Sequence, residues 1–399
     1  MHALAAPPAS VRGTAVGASR SDEVLGPAVH GVGAPTTVTA FFDIPDLLPA
    51  FIAGSFSRVV GAGADPFEYD RVTAALTSLY DWTAALEHTG RVHLAAGELA
   101  EAAGHSVSAA ASYRTAAAWM HCATVLPHPD RAALARAESG ADRAMRRSLA
   151  LLEPNAVRIE GPGFVGWLRS PAGVARPPIV VIVPGLDSSK EEFHDVADAL
   201  LGRGLAVAVV DGPGQGLLAA SSAPDPDYDR VVGAVLDRLA TRPESEPELD
   251  HDRVGVIGLS MGGFYAAMAA ARDPRVRATA TVSGPTVLDW EQLPLFVTET
   301  LTQRCGSADA AREFALRLDL TPIMHTIPGP LLVIDGGRDL IPGVTNGAPL
   351  AEAAPQGKYL LVPHGDHLLG NARAEWLPAT ADWLAARLQD TTRFTGGGP

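Results

Sequence analysis

Lysine is almost absent from this chain. Of its 31 basic residues only Lys190 and Lys358 are lysines, and the other 29 are arginines. With the abundant alanine, this reads as the codon bias of a GC-rich bacterial genome and not as a functional signal. Positive charge is scarce too: 45 acidic residues against 31 basic ones leave a net charge of −14. A surface of that sign repels phosphate backbones and anionic lipid, so neither nucleic acid nor a membrane surface is an expected partner. Cysteine is limited to Cys122 and Cys305. That is too few for a disulfide framework or a Cys-rich metal site, and two buried reduced thiols are expected. Aromatic residues are 6% of the chain, so its core must be built largely from Ala, Val and Leu. No apolar run approaches the roughly 20 residues of a transmembrane helix. The opening MHALAAPPASVRGTAVGASR has no basic start followed by an apolar stretch, so no secretory signal is expected. The expected location is the cytoplasm.

What is present is enough apolar residue, 47% of 399, to bury a sizeable core. A length in that range predicts two domains at about 100–200 residues each. Residues 1–40 are rich in Ala, Gly, Pro, Ser and Thr without periodicity. Such a segment buries too little apolar surface to offset its ordering entropy and is predicted to be disordered, as is the 391–399 tail. From 41 to 153 the pattern is helical. Ala110, Tyr113, Ala117 and Met120 fall on one helix face. Pro127 and Pro129 interrupt, and Asp130 is placed to cap the next helix. That helix carries Leu134, Ala137, Ala141, Met145, Leu149 and Leu152 on one side, with Arg136, Ser139, Arg143 and Arg147 on the other. No 34-residue self-similarity runs through the segment, so a small helical domain is expected and not a repeat array.

At Pro154 the pattern changes. Residues 157–160 and 163–168 read as an antiparallel pair. Continuous apolar strands at 179–183, 206–210, 253–257, 278–282, 331–334 and 359–362 then alternate with helices, at about 190–202, 226–240, 261–271 and 374–388. Apolar strands alternating with helices predict an α/β domain over 154–390, a mostly parallel sheet with helices on both faces. An insert at 285–327 reads as helical and is placed to form a lid over the strand ends.

Gly258-Leu259-Ser260-Met261-Gly262 fits G-x-S-x-G, and its context is a buried strand before it and a small-residue helix after it. A sharp turn there pushes the serine hydroxyl outward, and the glycines permit close strand–helix approach. A serine hydroxyl needs a base near neutral pH. In this arrangement the chain order is Ser, acid, His. Asp339, in the turn after the 331–334 strand, is the candidate acid, with Asp335 and Asp289 as rivals. His367 follows the last strand by a short loop and is the candidate base. His364 lies at the strand end, and His194 is out of order. An acyl-transfer intermediate also needs two N–H donors for its oxyanion; the backbone amides of Met261 and Leu186 are the candidates. The next residues, Asp187-Ser188-Ser189-Lys190-Glu191-Glu192, support two readings. Ser189-x-x-Glu192 is a capping box, or else Glu192 or Asp187 stands at the pocket mouth, touching substrate or tuning His367. Asp211-Gly212-Pro213-Gly214-Gln215-Gly216 reads as a turn at a strand end, without the Lys-Ser/Thr pair of a phosphate loop. No metal-ligand spacing is present, and no cofactor is expected.

PGLDSSKEEF, RGLAVAVVDGPGQG, GLSMGG, GGRD and GDH together resemble the FrsA-like branch of the α/β-hydrolase superfamily. The likeness covers roughly 90–390, and the PGLxSxKEE and DGPGQG pair is far more specific than G-x-S-x-G. The resemblance implies an α/β-hydrolase fold with an N-terminal helical domain and Ser260, Asp339 and His367 as a triad. It implies a small-molecule pocket between helical domain and core, and a homodimer. Some members of the branch cleave C–C bonds in β-diketone-like substrates, among them fungal hydrolases that shorten polyketides, and others act as esterases. Acyl transfer, a non-hydrolytic biosynthetic reaction, and partner binding on a non-catalytic core are the alternatives. Leu217 is a departure, since relatives often carry Glu after GPGQG. Lys190 lies inside the most diagnostic stretch, in a chain that otherwise uses arginine, which marks it as a position where Arg is not equivalent.

Overall fold

The computed structural model describes residues 40–244 and 246–389. The two segments expected to be disordered lie outside the described residues, apart from Ala40, which opens a short 3-10 turn through Asp43.

Five helices come first: α1 (Leu47–Gly61), α2 (Pro66–Thr73), α3 (Trp82–Ala102), α4 (Ser106–Cys122) and α5 (Arg131–Leu152). Local chemistry sets their starts. Asp65 accepts the Glu68 N–H with Pro66 at the first helical position, and Asp130 accepts the Ala133 N–H at 3.0 Å. Ala110, Tyr113, Ala117 and Met120 are all buried on α4, as are Leu134, Ala137, Ala141, Met145 and Leu149 on α5. Leu152 departs from its predicted stripe. It is the last residue of α5, beyond the packed turns, and is 45% exposed.

The α/β part follows. Its strands are β1 (Val157–Gly161), β2 (Phe164–Arg169), β3 (Pro178–Val183), β4 (Ala206–Asp211), β5 (Asp250–Leu259), β6 (Val276–Val282), β7 (Val287–Leu288), β8 (Leu331–Gly336), β9 (Val344–Thr345) and β10 (Gly357–Val362). Among the described residues they build an eight-stranded sheet of order β1-β2-β4-β3-β5-β6-β8-β10, with β7 and β9 as a separate antiparallel pair. The β1–β2 and β2–β4 contacts are antiparallel and the rest parallel. Every residue of β3, β4 and β8 is buried, which is why these strands are apolar runs and not alternating ones up to the aspartates at the carboxyl ends of β4 and β8.

The remaining helices are α6 (His194–Leu201), α7 (Asp229–Ala240), α8 (Met261–Arg272), α9 (Leu295–Cys305), α10 (Ala308–Leu316), α11 (Ala348–Ala353) and α12 (Arg373–Gln389). The helix expected from about residue 190 begins at His194, because Lys190–Glu192 are committed to tertiary ion pairs described below. One apolar cluster packs α7 and α8 on the sheet, with residues of α9, α10 and α11. The cluster on the opposite face joins α6 and α12 to Ala116, Ala117, Ala144, Met145 and Leu149 of α4 and α5. A third gathers α1–α4 around Trp82 and Trp119 and reaches Leu295 and Phe296 of the insert. The helical region therefore shares its core with the sheet and the insert. Cys122 is buried, but Cys305 is half-buried and not fully buried as expected; both are free thiols. No helix among the described residues is long and apolar enough to cross a membrane.

The register sets Val183 beside Gly258, Leu259 beside Val282, Val282 beside Ile334, and Gly336 beside Val362. The carboxyl ends of the parallel strands are thus aligned, and the loops leaving them converge. Open α/β sheets present their sites at this edge.

Candidate active site

The β5–α8 turn is a strained one. Ser260 has φ 56° and ψ −131°, a region a non-glycine residue occupies at a cost of order 1–3 kcal/mol. The sheet holds it there: the Ser260 N–H donates to the Val282 carbonyl at 2.8 Å. The flanking glycines follow from close packing. A Cβ on Gly258 would fall 1.8 Å from the Gly262 carbonyl oxygen, and one on Gly262 would fall 2.0 Å from that of Val183. Met261 opens α8, so its N–H is one of the four first-turn donors with no intrahelical acceptor.

His367 bridges the turn to a carboxylate. Its Nε2 is 2.9 Å from Ser260 Oγ, and its Nδ1 is 2.9 and 3.0 Å from the two oxygens of Asp339. Burial works against the imidazolium, but the Asp339 charge and hydrogen bond prevail and raise the His367 pKa above 6.5. A carboxylate accepts only, so Nδ1 carries the proton and Nε2 is left to accept from the Ser260 hydroxyl. The loop after His367 is also strained. Leu368 and Leu369 have φ of 65° and 49°, and Leu368 donates its N–H to Ser283 Oγ at 3.0 Å.

The rival residues are committed elsewhere. Asp335 accepts from the Gly347 N–H and the Tyr359 hydroxyl, with burial pushing it up to about 6. Asp289 caps the short turn Trp290–Gln292 through the Glu291 N–H and the Gln292 amide. His364 pairs with Glu375 at 2.8 Å, and His194 opens α6, where burial lowers its pKa.

Leu186 and Met261 both line the cavity beside Ser260. The Leu186 amide is oriented by Gln215, whose Nε2 donates to the Pro184 carbonyl at 2.6 Å and the Gly185 carbonyl at 3.0 Å. In a trans peptide the N–H points opposite to the C=O. Fixing the Gly185 carbonyl toward Gln215 therefore fixes the Leu186 N–H on the other side. Gln215 is itself fixed, since its Oε1 accepts from the Gly212 N–H and the Tyr228 hydroxyl. The stretch read from sequence as a turn is a brace for the loop beside the serine.

The 187–192 strip overturns the capping-box reading. Ser189 Oγ faces His121 Nδ1 at 2.9 Å, and Glu192 spans His121 Nε2 and the Arg58 guanidinium. Glu192 does not reach the pocket mouth either. It is buried behind Arg58 and is not among the cavity-lining residues, whereas Asp187 is. Lys190 Nζ is surrounded by Asp211, Glu191 and Asp142 at 2.8, 2.9 and 3.0 Å. In this strip Asp187, Ser188 and Glu192 hold Arg58 of α1, Ser189 and Glu192 hold His121 of α4, and Lys190 holds Asp142 of α5. Ser189–His121–Glu192 repeats the atomic chain of a Ser-His-acid triad, but all three are buried and none lines the cavity. Sequence reasoning missed Arg58, His121 and Gln215. The available signal was the strip itself: six consecutive polar residues are more than one helix cap uses.

A cavity of about 570 Å³ opens over Ser260, in the size range of small-molecule sites. Its wall is mainly apolar. Phe41, Phe51 and Phe56 come from the helical region and Leu288, Phe296 and Val297 from the first part of the insert. Leu217, the departure from the GPGQG pattern, is not among the lining residues.

A strained serine after a buried strand, a histidine–carboxylate pair in chain order and a mostly parallel sheet define a hydrolase-type α/β architecture. Comparison with known proteins agrees. The Hydrolase_4 family (serine aminopeptidase, S33) matches residues 176–314. The 2,6-dihydropseudooxynicotine hydrolase of Paenarthrobacter nicotinovorans is 30% identical over 249 residues, 60% of this chain and 66% of that protein. The α/β hydrolase ucsC of an Acremonium species is 30% identical over 56% of this chain and 52% of its own length. Hydrolase LUC6 of a Fusarium species is 33% identical over 51% and 52%. The chain thus spans about half to two thirds of the length of these relatives. The crystal structure of 2,6-dihydroxy-pseudo-oxynicotine hydrolase superposes with a TM-score of 0.72 and 26% identity, covering 83% of this chain and 95% of that one. The chain belongs to the α/β-hydrolase superfamily.

Proposed function

We propose that the protein is a serine hydrolase acting on a carbonyl of a small-molecule substrate of the secondary-metabolite or aromatic-ketone type. The observation that carries this reading is the position of His367, hydrogen-bonded at once to Ser260 and Asp339 at the floor of an apolar cavity. His367 Nε2 takes the Ser260 proton as Oγ attacks the carbonyl carbon. The amides of Leu186 and Met261 hold the oxyanion. The tetrahedral intermediate collapses, the bond to the leaving group breaks, and the His367 imidazolium returns the proton to that group. Water, deprotonated by His367, then releases the acyl group as a carboxylic acid.

With an alkoxide leaving group this is ester or lactone hydrolysis. With a 1,3-diketone the C–C bond beside the attacked carbonyl breaks, its electron pair becomes the enolate of the second carbonyl, and protonation gives a ketone. A pseudooxynicotine-type relative and fungal α/β hydrolases support the small-molecule assignment. The test is a panel of an aryl ester, a lactone and an aryl 1,3-diketone, run with wild type and Ser260→Ala. Turnover of at least one class, lost in Ser260→Ala, is expected. No turnover of any class, or equal turnover by the variant, overturns the reading.

A further inference from the structure

We infer that Arg58, on the helical region, is a positioning residue for the oxyanion loop, so that α1 is part of the machinery of the site as well as its wall. The inference rests on the proposed hydrolase reading and on the Leu186 amide as an oxyanion donor.

Arg58 turns all three of its guanidinium nitrogens to one strip of chain. Nη1 donates to Asp187 Oδ2 at 2.8 Å and Nη2 to Asp187 Oδ1 at 3.1 Å. Nε and Nη2 donate to the two oxygens of Glu192 at 2.8 and 3.0 Å, and Nη2 also reaches Ser188 Oγ at 3.2 Å. Forked pairing to two carboxylates fixes orientation as well as distance, which a lysine ammonium does not do. Arg58 lines the cavity, yet each of its three guanidinium nitrogens is engaged by the strip, and two carboxylates already offset its charge.

What Arg58 holds matters more. Asp187 follows Leu186 directly, and Gly185 before it lies so close to the serine that a Cβ there would fall 2.8 Å from Ser260 Cβ. Gln215 fixes the Gly185 carbonyl from inside the fold, and Arg58 fixes the Asp187 side chain from outside. The intervening Leu186 peptide is clamped on both sides. The inner clamp belongs to the α/β part, whereas the outer one comes from 129 residues earlier in the chain. Seating α1 therefore completes the loop that the oxyanion needs. Misplacing an oxyanion donor falls on the transition state and leaves ground-state binding largely alone.

The experiment compares Arg58→Lys, Arg58→Ala and Asp187→Asn on a small aryl acetate. Rates are normalised to the fraction of chains that a fluorophosphonate labels at completion, and are read below each variant's Tm. Arg58→Ala is expected to lower kcat about 10–100-fold with KM within about 3-fold, somewhat less than the 10²–10³-fold for removing a donor outright. Arg58→Lys is expected to recover little, Asp187→Asn to lose less than Arg58→Ala, and added guanidinium at non-denaturing concentration to restore part of the Arg58→Ala rate. A purely structural role would lower Tm and the labelled fraction but leave kcat per labelled chain unchanged; that result overturns the inference. An active wild type with undiminished Arg58 variants refutes the positioning role alone. A wild type that neither hydrolyses the acetate nor labels removes the hydrolase reading and this inference with it.

Discussion

Substitution of Lys190 by methionine tests why the PGLxSxKEE and DGPGQG stretches occur together. The ammonium is buried and meets three carboxylates between 2.8 and 3.0 Å, those of Asp211, Glu191 and Asp142. At an effective dielectric of about 20, each contact supplies about 5–6 kcal/mol of gross attraction, most of it offset by desolvation and carboxylate repulsion. Methionine fills similar volume but leaves the carboxylates facing one another, with Arg158 reaching Asp142 alone. Removing one partner of a buried ion pair costs about 3–5 kcal/mol, a large share of the roughly 5–15 kcal/mol that stabilises a folded protein. A loss of that size lowers Tm by about 10 °C. The pH dependence is specific. Burial already holds Glu191 above the ordinary carboxylate range, and the Lys190 charge opposes that shift. Without Lys190 the Glu191 carboxyl moves further up. A group whose folded pKa exceeds its unfolded pKa binds protons on folding, so the variant gains stability as pH falls. Thermal and urea melts at pH 5.5, 7 and 8 are expected to show the largest penalty at pH 8. A Tm within about 1 °C of wild type, or a penalty growing toward acid, would refute the reasoning.

Other outcomes follow from the same contacts. Lys190→Arg keeps the charge but forces a longer planar fork into a packed site, and urea melts are expected to register a loss of about 1–3 kcal/mol. Asp339→Asn removes the group that orients His367, so kcat is expected to fall roughly 10⁴-fold in steady-state assays; retained activity would move the acid to Asp335 or Asp289. The proposed mechanism needs His367 unprotonated and Asp339 raises its pKa above 6.5, so kcat/KM of the wild type is expected to fall as pH drops through a midpoint above 6.5. A pH–rate profile with its acid limb below that value would contradict the assignment. Glu299, pushed up to about 7 by burial, accepts the Ala40 and Phe41 N–H groups at 2.7 and 3.1 Å and so seats Phe41 on the cavity wall. Glu299→Ala is expected to raise KM several-fold with kcat kept, as read from Michaelis kinetics.

The parts of the site legible in the sequence are those encoded locally. Gly258 and Gly262 are needed because atoms a few residues away, or on the adjacent strand, leave no room for a Cβ. Asp339 and His367 each follow an apolar strand that periodicity alone locates. The 187–192 strip was misread because most of the groups it serves come from the helices: Arg58, His121 and Asp142 bind it across long sequence separations, beside Asp211 at the end of β4. A capping box and a long-range ion pair use the same residue types, and one sequence does not distinguish them. Phe41 escaped notice for a related reason. It lies next to a segment of low complexity, and its neighbours in the fold, Phe51 and Phe296, come from α1 and the insert.

The central claim is that Ser260 is a nucleophile activated by His367. Intact-mass measurement after exposure to a fluorophosphonate, followed by peptide mapping, tests it most directly. The account predicts a single adduct on the peptide containing Ser260, absent in Ser260→Ala and formed far more slowly in His367→Ala. An unmodified wild type, or an adduct mapping to any other residue, would contradict it.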